Sequence, residues 1–188
     1  GLAKTVRWAL EEKSHKTPMN LPNHLRVAGE LYVNTGGVYV ALLMNHITLK
    51  SGEAMFLEPG NVHSYLSGLA VEVMSSSDNV MRAAFTSKHV DLQEFFATAS
   101  LNSHLPTQVT QRNSTNNTVD YEIKNAPFSV QKINVNSAMT IQADHEVELY
   151  LCVQGHSGAV QQGQACVLRQ HEVLQLEKDS VIFRVWGS

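Results

Sequence analysis

Six polar residues between positions 63 and 88 have types and spacings that suit metal or anion binding. They are His63, Tyr65, Glu72, Asp78, Arg82 and Lys88. The turn Pro59-Gly60 comes just before His63, so this imidazole would start a strand and could point into the mouth of a β-barrel as a metal ligand. Tyr65 would face the same side of that strand. The spacing therefore allows one metal ligand beside a phenol.

The remaining residues supply charge. Glu72 stands between two valines, and its carboxylate would need a cation beside it if both faces of the strand were buried. Arg82 follows Asp78 closely and suits a phosphate, which it can bind through paired N–H donors. Lys88 adds a second cation. Together these residues could bind an anionic ligand.

Each of these residues also has a structural interpretation. A single His beside a turn is more often a hydrogen-bonded surface or core residue than a ligand. Glu72 would commonly face outward, Arg82 could pair with Asp78, and most lysines are solvated. The residue types alone leave both interpretations open.

The secondary structure that must position these residues is predicted to differ between parts of the chain. Apolar spacing predicts helices over residues 2–13 and 91–99, the second beginning at a capping Asp, and Pro and Gly signals indicate a short helix over residues 22–29. Residues 38–45 are apolar on all sides, so periodicity does not distinguish helix from strand there, and we expect a short buried helix. Between them, short apolar runs separated by turns predict strands over residues 47–49, 54–57, 63–66, 69–74 and 79–85. The six polar residues would therefore lie on antiparallel β structure.

A polar stretch, residues 102–118, is the predicted linker to a second unit. Beyond it, seven runs predict strands of a sandwich or jelly roll: residues 128–135, 138–142, 148–153, 159–161, 165–169, 172–176 and 180–186. Its histidines, His145, His156 and His171, are scattered, so we expect no metal site there.

The composition limits the kinds of partner that this protein is expected to bind. The net charge is -3 and hydrophobic residues make up 43% of the 188 residues, which is ordinary for a globular protein and does not favour nucleic acid or an anionic membrane. The longest apolar run is too short to cross a bilayer, and no secretory signal opens the chain. The two cysteines have no C-x-x-C spacing. We therefore expect a cytoplasmic protein with no nucleic-acid or membrane partner.

An ordered series of motifs identifies a family resemblance. GEAMFL, P-x-x-H, SYLSG, VEVM-x-x-SDNV-x-R-A and T-x-K-x-x-D occur in one unbroken register between Tyr39 and Asp91. The series closely resembles the C-terminal part of the type I mannose-6-phosphate isomerases, which are zinc enzymes of the cupin superfamily. After residue 118 only the β pattern fits the family.

The resemblance implies a mainly β, cupin or jelly-roll fold with a short helical N-terminal segment. Residues 1–33 would end a helical domain, residues 34–101 would form the C-terminal part of the catalytic cupin, and residues 119–188 would form a small second jelly roll. The implied roles are a zinc ligand for His63, an active-site residue for Arg82, and a substrate-binding pocket lined by Tyr65, Glu72, Asp78 and Lys88.

The implied reaction interconverts mannose 6-phosphate and fructose 6-phosphate. The family's other zinc ligands lie in an N-terminal segment that this sequence lacks, so we expect a C-terminal fragment that is inactive alone. The alternative is a non-catalytic, cupin-like sugar-binding or regulatory module.

Overall fold

The chain forms two compact units in a computed structural model that describes residues 1–12, 20–32, 36–77, 79–102, 107–113, 115–158 and 160–187. The first comprises Gly1–Thr48, Leu57–Glu72 and Ser76–Pro106 and is called the helical unit. The second comprises Leu49–Phe56, Val73–Ser75 and Thr107–Ser188 and is called the sheet unit. Each unit has its own hydrophobic core.

The described part of the helical unit contains four helices, and they confirm the predicted helices. They are α1 (Leu2–Glu11), α2 (Asn23–Leu31), α3 (Gly37–Leu42) and α4 (Leu92–Thr98). The first, third and fourth helices bury Val6, Ala9, Val40 and Phe95 in one cluster. At the start of α4 the Asp91 carboxylate accepts a hydrogen bond from the backbone N–H of Glu94, which satisfies one of the helix's unpaired donors.

The contact between α1 and the start of α3 depends on a glycine. A Cβ placed on Gly36 would lie 1.6 Å from the carbonyl oxygen of Ala9. The backbone of Gly36 has an ordinary right-handed helical conformation, so it is the missing side chain and not an unusual φ that matters here. The close approach brings α3 onto the buried face of α1.

The strands predicted between residues 47 and 85 are mostly wrong. Among the described residues of that span only β1 (Met55–Phe56) is a strand, with one further isolated bridge from Asn61 to Ser100. A strand exists only where its N–H and C=O groups pair with a neighbour. Local alternation cannot supply that neighbour. Several apolar side chains of this span are exposed as a result, and Leu69 is 91% exposed.

The sheet unit follows the predicted strand pattern closely. After β1 its strands are β2 (Thr107–Gln108), β3 (Thr110–Asn113), β4 (Thr118–Glu122), β5 (Phe128–Val135), β6 (Met139–Gln142), β7 (Val147–Gln154), β8 (His156–Ser157), β9 (Val160–Gln161), β10 (Ala165–Arg169), β11 (Val173–Leu176) and β12 (Ser180–Gly187). All seven predicted strands are present within two residues of their predicted bounds. Strands β2 and β3 lie inside the stretch predicted as a linker.

Antiparallel pairing arranges these strands in layers. One sheet has the order β10-β7-β12-β5-β4-β3, and β11 pairs with β6. Side chains from both sheets, among them Ile133, Tyr150, Leu174 and Ile182, form the largest core cluster. Because successive residues of a strand face opposite sides, Val130 and Phe183 point to the other face. There they pack with residues such as Val109 and Phe56.

The protein is therefore mainly β, with antiparallel sheets of jelly-roll type and a short helical N-terminal segment. No helix among the described residues is long and apolar enough to cross a membrane.

Candidate functional site

His63, Tyr65 and Glu72 form one polar group in the helical unit. The Tyr65 hydroxyl donates a 2.7 Å hydrogen bond to Oε1 of Glu72, and Nε2 of His63 lies 3.9 Å from the same oxygen. The two rings meet edge to face with their centroids 5.8 Å apart. The structure therefore brings together three of the six residues selected from the sequence.

The orientation of the His63 ring suits a metal ligand. Its Nδ1 lies 2.9 Å from the carbonyl oxygen of Asn61, so an Nδ1–H donor there leaves the Nε2 lone pair free. Histidines that bind metals usually donate their other ring N–H to a carbonyl or carboxylate in this way. Both His63 and Glu72 are exposed, with 42% and 51% of their side-chain surfaces accessible, so a ligand could reach them.

Tyr65 is a hydrogen-bond donor over the whole neutral range. Partial desolvation of its phenol, and then the hydrogen bond to the Glu72 carboxylate, raise the pKa of this otherwise exposed side chain to about 12. The protonated phenol therefore keeps orienting the carboxylate of Glu72.

Arg82 and Lys88 line a second feature of the helical unit, a cavity of about 400 Å³. Its other lining residues are Val80, Met81, His89, Asp91 and Glu94. Arg82 is partly buried, and its Nη1 donates to the carbonyl oxygen of Val80 over 3.4 Å. The lining therefore combines two basic side chains, Arg82 and Lys88, with two carboxylates, Asp91 and Glu94. The Asp91 carboxylate already accepts the backbone N–H of Glu94, and the two basic side chains could bind an anion such as a phosphate.

The predicted site residues therefore form two groups: His63, Tyr65 and Glu72 contact one another, whereas Arg82 and Lys88 line the cavity. Among the described residues, the lining of the cavity does not include His63, Tyr65 or Glu72. Asp78 lies outside the described residues.

Sequence reasoning missed a polar cluster in the sheet unit. Asp144, His145 and Glu148 offer ligand atoms within 4.8 Å of one another, although the scattered histidines predicted no metal constellation here. Glu148 is fully buried and Arg184 is 8% exposed. The signal was available, because Glu148 stands two residues before the core residue Tyr150 and Arg184 stands two residues after Ile182.

Arg184 is the cation of this cluster. Its Nε and Nη2 each lie 2.6 Å from an oxygen of Glu148, and Nη2 also contacts the Asp144 carboxylate. The Tyr150 hydroxyl and the backbone N–H groups of Asp144 and His145 also donate to Glu148, and Nδ1 of His145 lies 2.8 Å from its Oε1. A largely buried guanidinium already pairs with both carboxylates, so the cluster is an ion-pair network and fits a metal ion poorly.

The electrostatics of Glu148 follow from these contacts. Burial alone raises the pKa of its carboxyl, but hydrogen bonds from Arg184, Tyr150 and His145 outweigh burial and hold the pKa well below its ordinary value. At the rim of the network the indole of Trp186 stacks on His145 at 4.8 Å and faces the Arg184 guanidinium at 4.9 Å. Only the outer part of the network meets solvent.

Comparisons with known proteins find that this chain is similar to proteins named mannose-6-phosphate isomerase. No family model matches it. The mannose-6-phosphate isomerase of Escherichia coli (strain K12) is 33% identical over 132 residues, which cover 70% of this chain and 34% of the relative. That of Salmonella typhimurium is 32% identical over 149 residues, covering 79% of this chain and 38% of the relative. The chain spans little more than a third of these curated relatives.

Solved structures share the fold. A crystallised Glu-to-Ala variant of the Salmonella typhimurium phosphomannose isomerase matches all of this chain and 55% of its own, with a TM-score of 0.70 and 23% identity. A mannose 6-phosphate isomerase bound with zinc and yttrium matches all of this chain and 54% of its own, with a TM-score of 0.67 and 24% identity.

Fold and site together define a mainly β protein of the cupin type that carries an exposed His-Tyr-Glu group and a cavity whose lining includes two basic and two acidic side chains. The sequence matches go further: this chain is a relative of the mannose-6-phosphate isomerases, as its motifs predicted.

Proposed function

We propose that this chain is part of an isomerase that interconverts mannose 6-phosphate and fructose 6-phosphate. The proposal rests on the motif-bearing residues 39–91 and on the relatives at 32–33% identity, which carry the name mannose-6-phosphate isomerase. These relatives favour catalysis over the alternative of a non-catalytic sugar-binding module. The partner proposed for the site is accordingly a small sugar phosphate.

The separations between a His, a Glu and an Arg along the sequence support the assignment of these individual residues to the active site. Crystallised variants of the Salmonella typhimurium enzyme replace a His, a Glu and an Arg by Ala, and the Glu follows the His by nine positions and the Arg follows the Glu by ten. In this chain His63, Glu72 and Arg82 have the same types at the same separations. We therefore assign these three residues to the active site.

His63 is the proposed zinc ligand of this chain, through its Nε2. The hydrogen bond from Nδ1 to the Asn61 carbonyl fixes the ring with Nε2 outward, which fits a metal. A catalytic zinc needs about three protein ligands, so the others must come from residues beyond this group. When bound, zinc acts as a Lewis acid and orients sugar oxygens.

Arg82 and Lys88 are the proposed anion-binding residues. Both line the cavity, where the guanidinium of Arg82 would stabilise negative charge on the reacting sugar or bind its phosphate, and Lys88 would add to the positive field. Tyr65 and Glu72 would contact the sugar. Asp78 is proposed for the same pocket on the motif alone.

Both cysteines are free thiols. This is consistent with a reducing compartment, and we propose the cytoplasm as the location.

The test joins this chain to the portion of the Salmonella typhimurium enzyme that the match leaves uncovered. We expect the chimera to bind zinc and to isomerise mannose 6-phosphate in a coupled assay. His63→Ala should remove the zinc, and Arg82→Ala should lower kcat/KM by about 100-fold or more. The matched control is Arg112→Ala, which removes an exposed arginine that pairs with Glu122 at 3.7 Å. If both site variants keep the activity of the control, the assignment is wrong.

A further inference from the structure

Phe85 has an unusual backbone conformation between the two cations of the cavity. Its φ is +54°, in the left-handed region that glycine tolerates and that is a genuine outlier for a bulky side chain. Such residues persist only when their surroundings hold them in place, and they cluster at functional sites. The contacts of Phe85 show what holds it.

The Phe85 ring is held from two directions. Its centroid lies 5.6 Å from that of Tyr32, at the end of α2. At the start of α3, a Cβ on Gly37 would lie 2.5 Å from the Cβ of Ala84 and 3.2 Å from the Phe85 ring, so the helix backbone touches this pair of residues. Two helices therefore hold the turn.

The chain on either side of Phe85 leads directly to the cavity. Arg82 lies three residues before it and Lys88 three residues after it, and both line the same cavity. On the Lys88 side the Thr86 hydroxyl accepts a 3.0 Å hydrogen bond from the backbone N–H of Lys88. The left-handed residue thus occurs where the chain turns between two cations that face one space.

We propose that Phe85 is a positioning residue, which fixes the turn of residues 82–88 so that Arg82 and Lys88 face one anion together. The inference rests on the proposed function, because it concerns the same anion-binding cavity. Phe85 does not contact the ligand. It acts through the contacts with Tyr32 and Gly37 that keep its strained backbone in place.

The experiment measures binding of inorganic phosphate to the full chain by calorimetry and by the NMR shift of the Arg82 Nε–H. We expect Phe85→Ala to weaken phosphate affinity by about tenfold, because the cations are no longer held together. Gly37→Ala should do the same from the helix side. Phe85→Tyr keeps the ring and should retain the wild-type affinity and the Arg82 shift.

The matched control is Phe96→Ala. Phe96 packs on Phe95 with centroids 5.3 Å apart and under Arg7 at 4.0 Å, so its loss removes an equal ring from the core of the same unit. We expect lower stability with unchanged phosphate affinity. Wild-type affinity in Phe85→Ala would overturn the positioning role and leave the proposed function intact.

Hydrogen exchange tests the positioning role of Phe85 independently of the proposed anion-binding role of the cavity. If the wild-type chain itself binds no phosphate, the proposed anion role of the cavity is wrong, and the amides of residues 86–88 then decide the inference. Faster exchange in Phe85→Ala but not in Phe96→Ala would support a turn fixed by Phe85. Equal exchange in both variants would overturn it.

Discussion

The two polar groups of this protein are built in opposite ways. In the helical unit, the Glu72 carboxylate accepts one hydrogen bond from Tyr65 and remains half exposed beside His63. In the sheet unit, the Glu148 carboxylate is fully buried and its contacts with Arg184 and its other donors satisfy it completely. The Glu72 carboxylate therefore has capacity left for a ligand, whereas the Glu148 carboxylate has none.

This difference shows how to separate a site from a structural network. Both groups combine a His with at least one carboxylate, and among the described residues only the second gathers three possible metal-ligating side chains within 4.8 Å of one another. In the sheet unit, however, the guanidinium of Arg184 has the position beside the carboxylates that a metal ion would need. A network whose hydrogen-bonding groups are all satisfied in this way stabilises a fold. A candidate site is therefore identified more by side chains that can still bind a ligand than by the short distances between those side chains.

The largest expected effect is in the sheet unit. Glu148→Gln removes the buried charge that compensates Arg184 and should lower the free energy of unfolding by about 3–5 kcal/mol, since it leaves the guanidinium with the exposed Asp144 as its remaining ion-pair partner among those described. Urea denaturation of the chain measures this. The control Glu146→Gln, at an exposed position nearby, should change stability by less than about 0.5 kcal/mol. Equal effects would contradict the network.

In the helical unit, a substitution at the contact between two packed helices is also expected to lower the free energy of unfolding. Gly36→Ala places a Cβ against the Ala9 carbonyl, which must shift the backbone and should cost about 1–3 kcal/mol. Gly52→Ala is not a fair control because Gly52 has a φ of +87°. The suitable one is Gly1→Ala, where no atom lies within 4 Å. Thermal unfolding followed by circular dichroism should show a lower midpoint only for Gly36→Ala.

Acid should weaken the network gradually. Because the pKa of Glu148 in the folded protein lies below its ordinary value, its stabilising contribution is complete above the ordinary carboxyl pKa of about 4.3. That contribution declines as the pH falls below that value, since the unfolded chain binds the proton first. Urea midpoints between pH 7 and pH 3 should fall more steeply for the wild type than for Glu148→Gln. Parallel curves would argue against this carboxylate as the source.

The smallest expected effect on stability is at the exposed group. His63→Ala and Tyr65→Phe should each change the free energy of unfolding by less than about 1 kcal/mol, because these side chains are exposed and Tyr65 loses only one solvent-accessible hydrogen bond. Urea denaturation of this chain checks the expectation. A loss as large as that of Glu148→Gln would show that the group has a structural role like that of the network.

The sheet unit was predictable because its signals are local. Residues 128–135 alternate between two buried faces, and the strand β5 has the predicted bounds. Residues 63–85 also alternate, but they form no strands among the described residues, because pairing depends on distant neighbours that local periodicity does not specify.

The candidate site was predictable in its residue types and not in its geometry. The motifs selected His63, Glu72 and Arg82, but no spacing rule indicated that Tyr65 donates to Glu72 or that Phe85 has a left-handed backbone. Those details depend on contacts between separate segments, such as that of Tyr32 with Phe85.

The stacking of Trp186 on His145 has a spectroscopic consequence. The chain contains two tryptophans, and they belong to different units: Trp8 lies on α1 and Trp186 on β12. An imidazole and a guanidinium against the indole of Trp186 should quench its fluorescence in the folded state, whereas Trp8 is 53% exposed. Replacing one indole at a time would let emission report the unfolding of each unit separately.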